Sequence, residues 1–115
     1  MIKILKFPIL ITLFLLSPFF YAEGNHKLFN LGDFDLESGI TLPNAKLSYV
    51  THGKLNEERD NLIVVPSAYL GDHHGFDFLI EPGKALDPEK YFIVATDMFQ
   101  NGLSSSPSNT APPFN

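Results

Sequence analysis

Cysteine is absent from this 115-residue chain. No disulfide framework can form and no thiolate metal site can be built. The same absence excludes a lipidated cysteine after the apolar N-terminal run. Cations are scarce as well, with eight Lys and Arg against thirteen Asp and Glu and a net charge of −5. That balance argues against nucleic-acid binding, which needs clustered cations facing phosphates. No internal repeat is visible. The longest apolar run, Phe7 to Phe20, falls short of the roughly 20 residues that cross a bilayer. No stable membrane span is therefore expected.

What that run does resemble is an export signal. Lys3 and Lys6 precede it, and Tyr21-Ala22 closes it before polar sequence begins at Glu23. A basic start, a short apolar stretch and a small closing residue form the layout of a secretory signal peptide. We expect residues 1–22 to be removed and residues 23–115 to form the domain, secreted or periplasmic. An uncleaved membrane anchor is the alternative, because Phe20 stands two places before the break, where a small residue is preferred. Without Lys3 and Lys6 the basic residues fall to six against the same thirteen acids, a balance of −7.

The remaining sequence reads as sheet. Leu28, Leu31, Phe34 and Leu36 suggest one strand or two short ones across residues 28–37. Ser38-Gly39 and Pro43-Asn44 are turn signals. Leu47, Tyr49 and Thr51 alternate with Lys46, Ser48 and His52, the period of a half-buried strand with His52 exposed. These segments should pair antiparallel. Leu62–Val65 and Tyr91–Ala95 are continuous apolar runs of the kind buried on both faces of a central strand. The stretch between them is long enough for a crossover with a short helix near Phe76–Ile80 or Gly83–Leu86, which implies a parallel pair. Lys84 and Asp87 should flank and cap that helix. The fold class is α/β: antiparallel edge strands, then parallel central strands, in a sheet only begun. The Tyr91–Ala95 strand is expected at its exposed edge.

Ligands of open parallel sheets sit at the carboxyl ends of the strands. Two loops qualify, residues 66–75 and residues 97–106. His73, His74 and Asp77 carry metal-ligating atoms, but neighbouring side chains rarely converge on one ion and no third ligand is suitably spaced. No metal and no cofactor are expected. Gly102-Leu103-Ser104-Ser105-Ser106 is half of a G-x-S-x-G nucleophile motif, without its second glycine and with Pro107 where a helix should start. It reads as loop, as does the Ser- and Pro-rich end of the chain.

The series Gly32-Asp33-Phe34, Leu36-Glu37-Ser38-Gly39, Leu42-Pro43-Asn44-Ala45, Tyr49, Gly53, Leu55-Asn56 and Arg59-Asp60-Asn61 resembles the start of homoserine O-acetyltransferases and their relatives. The likeness continues through Ala68, Gly71-Asp72, His74, Pro82–Asp87 and Tyr91–Thr96. It implies an α/β-hydrolase fold with a serine nucleophile on an elbow, followed in the chain by Asp and His. The elbow would follow the next buried strand, so the triad is expected outside this chain, which alone would be inactive. The resemblance also implies half of an oxyanion hole in the loop after an early strand. Its donor would be the backbone N–H of Tyr69, or of neighbouring Leu70, with Gly71, Asp72 and His74 as active-site loop residues. The family's loop reads His-Ala-Leu-Thr-Gly-Asp where this chain has Ser67 to Asp72. That departure, with export, points to hydrolysis of a small ester or amide in the intact parent. A small secreted, non-catalytic binding module derived from the fold is the alternative.

Overall fold

The computed structural model describes residues 26–114. The segment read as a signal peptide lies outside the described residues. Four strands form one sheet: β1 (Lys27–Asp35), β2 (Thr41–His52), β3 (Leu62–Pro66) and β4 (Phe92–Thr96). Their order is β1-β2-β4-β3. β1 runs antiparallel to β2, β2 antiparallel to β4, and β3 parallel to β4. The mixed architecture read from the sequence is present. Among the described residues no helix is long and apolar enough to cross a membrane.

β1 and β2 are joined by the turn at Ser38-Gly39. Gly39 has φ +81° and its N–H donates to the Leu36 carbonyl at 2.9 Å. Glycine adopts that backbone without steric cost. Pro43-Asn44 is not a second turn. β2 runs straight through it, and the pairing shifts register between Asn30 and Gly32 and again between Gly32 and Phe34. Asn44, at φ +49°, donates its N–H to the Asp33 carboxylate at 3.1 Å. Residues that favour turns here build β-bulges, which use the same left-handed backbone. The bulges also move the buried phase of β2, so its buried residues are Leu42, Ala45 and Ser48. His52 is half-buried rather than exposed, with its Nε2 enclosed and without a partner among the described residues.

The core of the described region is thin: Leu42, Ala45, Ile93 and Ala95 are its buried apolar residues. β4 supplies two of these because it sits inside the sheet, between β2 and β3. The edges of the sheet are therefore β1 and β3 and not the Tyr91–Ala95 strand, and on β3 Leu62 and Val64 remain 50% and 56% exposed. Burial on both faces needs a layer packed against each face, and the alternating exposure of β3 shows that the Leu62 and Val64 face has none among the described residues.

The short helix of the β3–β4 crossover falls at the first of the two expected places, as the 3-10 helix Asp77–Leu79, and residues 83–86 are not helical. Its far end is organised by Asp87, whose buried carboxylate accepts the N–H groups of Gly83 and Glu89, each at 2.9 Å. Those two backbone bonds hold the carboxyl below its ordinary pKa. Lys84 pairs with Glu81 at 2.7 Å and donates to the Phe78 carbonyl at 3.0 Å, closing the turn instead of capping a helix.

Candidate active site

Because β3 and β4 are parallel, the loops after Pro66 and Thr96 leave the same end of the sheet. They enclose an open cleft of about 730 Å³, lined by residues 67–72, 98–101 and Leu103. Two hydrogen bonds lock the loop bases together. The Ser67 N–H donates to the Thr96 carbonyl at 2.9 Å, and the Met98 N–H donates to the Ser67 hydroxyl at 3.0 Å.

Ala68 to Gly71 is a β-turn closed by the Gly71 N–H on the Ala68 carbonyl at 2.9 Å. Tyr69 and Leu70 are its central residues, 93% and 91% exposed. Leu70 stands at φ +62°, the left-handed backbone that the third position of a type II turn requires and that a leucine adopts at a cost of about 1–3 kcal/mol. Neither the Tyr69 nor the Leu70 N–H has a partner among the described residues. The cleft wall therefore presents two unused backbone donors. In the second loop Gln100 also stands in the left-handed region, at φ +76°, but its N–H donates to the Ser105 carbonyl at 3.1 Å.

Four of the five site residues named from the sequence, Tyr69, Leu70, Gly71 and Asp72, line this wall. Asp72 accepts the His74 N–H at 2.9 Å. The His74 ring turns to Asp77 instead, Nδ1 to carboxylate at 2.7 Å, and is not among the cleft-lining residues. The two adjacent imidazoles thus face different carboxylates, since His73 meets Asp97. Among the described residues no group of three His, Asp or Glu could hold a metal ion.

Asp97 heads the second loop singled out from the sequence, where no role was assigned to it. It is fully buried, immediately after β4. One carboxylate oxygen accepts the His73 N–H at 2.8 Å and the Asn101 amide at 3.0 Å. The other accepts the Ser48 hydroxyl at 2.6 Å and faces His73 Nδ1 at 2.9 Å. An ionised carboxylate only accepts, so Nδ1 carries the proton. Burial pushes the Asp97 carboxyl up. The bonds from Ser48 and from the ring and backbone of His73 outweigh it and hold the group below its ordinary pKa. His73 Nε2 is buried without a partner among the described residues. A polar residue in the buried phase of a strand, Ser48, was the available signal, and the bulges hid that phase.

The serine loop offers no nucleophile. Ser104 Oγ donates to the Asp97 carbonyl at 2.7 Å and accepts the Ser48 N–H at 2.8 Å. Ser106 Oγ donates to the Ser104 carbonyl, and Ser105 Oγ accepts the Lys46 N–H. Among the described residues no serine hydroxyl is hydrogen-bonded to an imidazole.

A mixed sheet of this order with a cleft at the carboxyl ends of its parallel strands is part of an α/β-hydrolase fold. The solved acetylester hydrolase from Corynebacterium glutamicum superposes with a TM-score of 0.73 at 40% identity, covering 78% of this chain and 26% of that one. The ethyl acetate hydrolase of Pseudomonas veronii is 42% identical over 95 residues, 79% of this chain and 27% of that protein. A homoserine O-acetyltransferase of Leptospira biflexa is 36% identical over 118 residues, 85% of this chain and 31% of that protein. No family model matches the chain. Over the matched region the chain is a relative of the homoserine O-acetyltransferase-like esterases and acyltransferases of the α/β-hydrolase superfamily. It spans less than a third of the length of these curated relatives.

Proposed function

We propose that this chain supplies part of the active site of an exported acyl-transfer enzyme that hydrolyses small esters. The observation that carries this reading is the Ala68–Gly71 turn, with its two unpartnered N–H groups on the cleft wall. A tetrahedral intermediate needs donors aimed at its oxyanion, and a backbone N–H serves whatever side chain it bears. The Tyr69 N–H, or that of Leu70, fills this role. The nucleophile, its histidine and its acid come from outside residues 26–114, so the chain alone does not turn over.

Hydrolysis is favoured over acetyl-CoA-dependent transfer by the cleft wall, which carries Asp72 and no lysine or arginine among the described residues. A polyphosphate cofactor would find no pairing charge there. A relative named as an ethyl acetate hydrolase fits the same substrate class. Export rests on Lys3, Lys6 and the Phe7–Phe20 run.

A chimera tests the reading. Residues 26–114 replace the matching stretch of the Pseudomonas veronii hydrolase, and p-nitrophenyl acetate hydrolysis is followed. Tyr69→Pro deletes the N–H at a turn position that proline favours, and kcat should fall about 10²–10³-fold. Tyr69→Ala keeps the N–H and should keep the rate. Equal rates for the two variants would exclude Tyr69 as the donor, and saturable turnover by the 115-residue chain alone would sink the reading.

A further inference from the structure

We infer that Asp97 is a positioning residue that fixes the oxyanion turn by stapling the loop after β3 to the end of β4. The inference rests on the reading of Tyr69 and Leu70 as oxyanion donors, but its test is independent of catalysis.

The turn hangs between two anchors, and both lie on residues 96–98. On its N-terminal side Ser67 is tied to the Thr96 carbonyl and the Met98 N–H. On its C-terminal side His73 is tied to Asp97 through both its backbone N–H and its ring Nδ1. Only residues 68–72 lie between the anchors. The closing bond of the turn, Gly71 to Ala68, spans most of that length. Position is thus transmitted from the end of β4 to the Tyr69 N–H through two short connections.

The Asp97 anchor is itself fixed from two further directions. Its N–H donates to the Ser48 carbonyl at 2.9 Å and the Ser48 hydroxyl returns to its carboxylate, which binds it to β2. Its carbonyl accepts the Ser104 hydroxyl and its carboxylate accepts the Asn101 amide, which binds it to its own loop. Both walls of the cleft therefore share one buried carboxylate. Bonds to a charged, desolvated acceptor are stronger than neutral ones. An oxyanion donor displaced by a fraction of an ångström loses much of its value, which is why a group that never touches substrate can control the rate.

Hydrogen-exchange mass spectrometry on the full chain reads this directly. In Asp97→Asn, exchange in peptides covering residues 67–75 and 97–106 should accelerate together, by roughly ten- to a hundredfold. Peptides covering β1 should not change. Ser48→Ala removes one donor and leaves His73 in place, so the same two segments should respond, more weakly. Nitrogen-15 NMR of His73, in solution or in the solid, should find a proton on Nδ1 in the wild type. In Asp97→Asn the side-chain amide can donate in its place and Nδ1 should become an acceptor. If residues 67–75 exchange at the wild-type rate in both variants, the staple does not exist. If the wild type exchanges in that segment like an unstructured peptide, or His73 Nδ1 is bare, the inference also falls. Global loosening in Asp97→Asn leaves Ser48→Ala to decide, and an unaltered or uniformly loosened pattern there overturns it. Equal rates for the Tyr69→Pro and Tyr69→Ala chimeras beside the expected exchange pattern would instead refute the Tyr69 oxyanion reading and leave the staple standing.

Discussion

Replacing Leu62 and Val64 by lysine should suppress self-association of the chain while leaving its sheet intact. In a parallel ladder alternate residues give both backbone groups to the neighbour. Asn61 and Ser67 bond to β4, so the alternation assigns Ile63 and Val65 to β4 as well. Leu62, Val64 and Pro66 then face the bare edge. Pro66 has no N–H, but Leu62 and Val64 offer two, beside side chains that are half exposed. Bare edges of this kind pair with other chains. If two copies join along β3, the remaining halves of four apolar side chains are buried, worth about 1 kcal/mol each by area. About four backbone hydrogen bonds add roughly 0.5–1.5 kcal/mol each. The sum, on the order of 6–10 kcal/mol, competes with an association cost of about 4–15 kcal/mol. Concentration-dependent association is the expected outcome, assisted by exposed Phe29 and Phe78. Lysine at both positions removes on the order of 4 kcal/mol of that gain, about 10³ in the association constant. Sedimentation velocity over a concentration series gives the comparison. A wild-type chain that stays monomeric at every concentration, or a double-lysine chain that associates as before, would refute the reasoning.

Export is expected to yield a periplasmic product beginning at Glu23 in a Gram-negative host, read by N-terminal sequencing; full-length protein retained in the cytosol would contradict it. Acid should loosen the fold through Asp97 and Asp87, both held below the ordinary carboxylate value. Their contribution is fully present above the unfolded carboxylate pKa of about 3.9 and is lost as pH falls from there through the folded values. Exchange protection followed through that window should decline, and less so in Asp97→Asn. Gly53→Ala should destabilise by about 2–4 kcal/mol. Gly53 stands at φ +72°, and a methyl group there would collide with the backbone carbonyls of Tyr91 and Pro88. Loss of exchange protection across residues 91–96 is the readout, and wild-type protection would show that the chain yields there.

Strands were legible where local pattern decides them. The β-branched run at Leu62–Val65 and the alternation before His52 needed no tertiary information. Strand order did, because β4 enters between β2 and β3 and nothing local to Tyr91–Ala95 records its neighbours. Pro43-Asn44 was misread since turns and bulges recruit the same residues for the same backbone. At the site, Tyr69 and Leu70 were reached through resemblance alone. An exposed Tyr-Leu pair in a loop carries no chemical signal, because the chemistry belongs to the backbone. Asp97 went without a role for a different reason. It heads a loop already placed at the ligand end of the sheet, but nothing local distinguishes it there, and only the contacts of Ser48, His73 and Asn101 make it a buried anchor.

The serine-rich segment shows how composition can mislead. Short hydroxyl side chains next to prolines read as extended, solvated chain. Yet β2 pairs with β4 only from Tyr49 to His52, which leaves Lys46 and Ser48, paired with β1 on one side, without a strand on the other. The loop fills that place. The Ser105 N–H donates to the Lys46 carbonyl, the Ser105 hydroxyl accepts the Lys46 N–H, and the Ser104 hydroxyl accepts the Ser48 N–H. Buried backbone groups must find partners, and a serine hydroxyl can both donate and accept. A loop made of serines can therefore cover a strand edge without adopting strand geometry. The consequence reaches the cleft, because residues 98–101 leave β4 just before this segment. With Ser104 fixed on β2 and on the Asp97 carbonyl, the second wall of the cleft is closed at both ends, as the first wall is by Ser67 and His73.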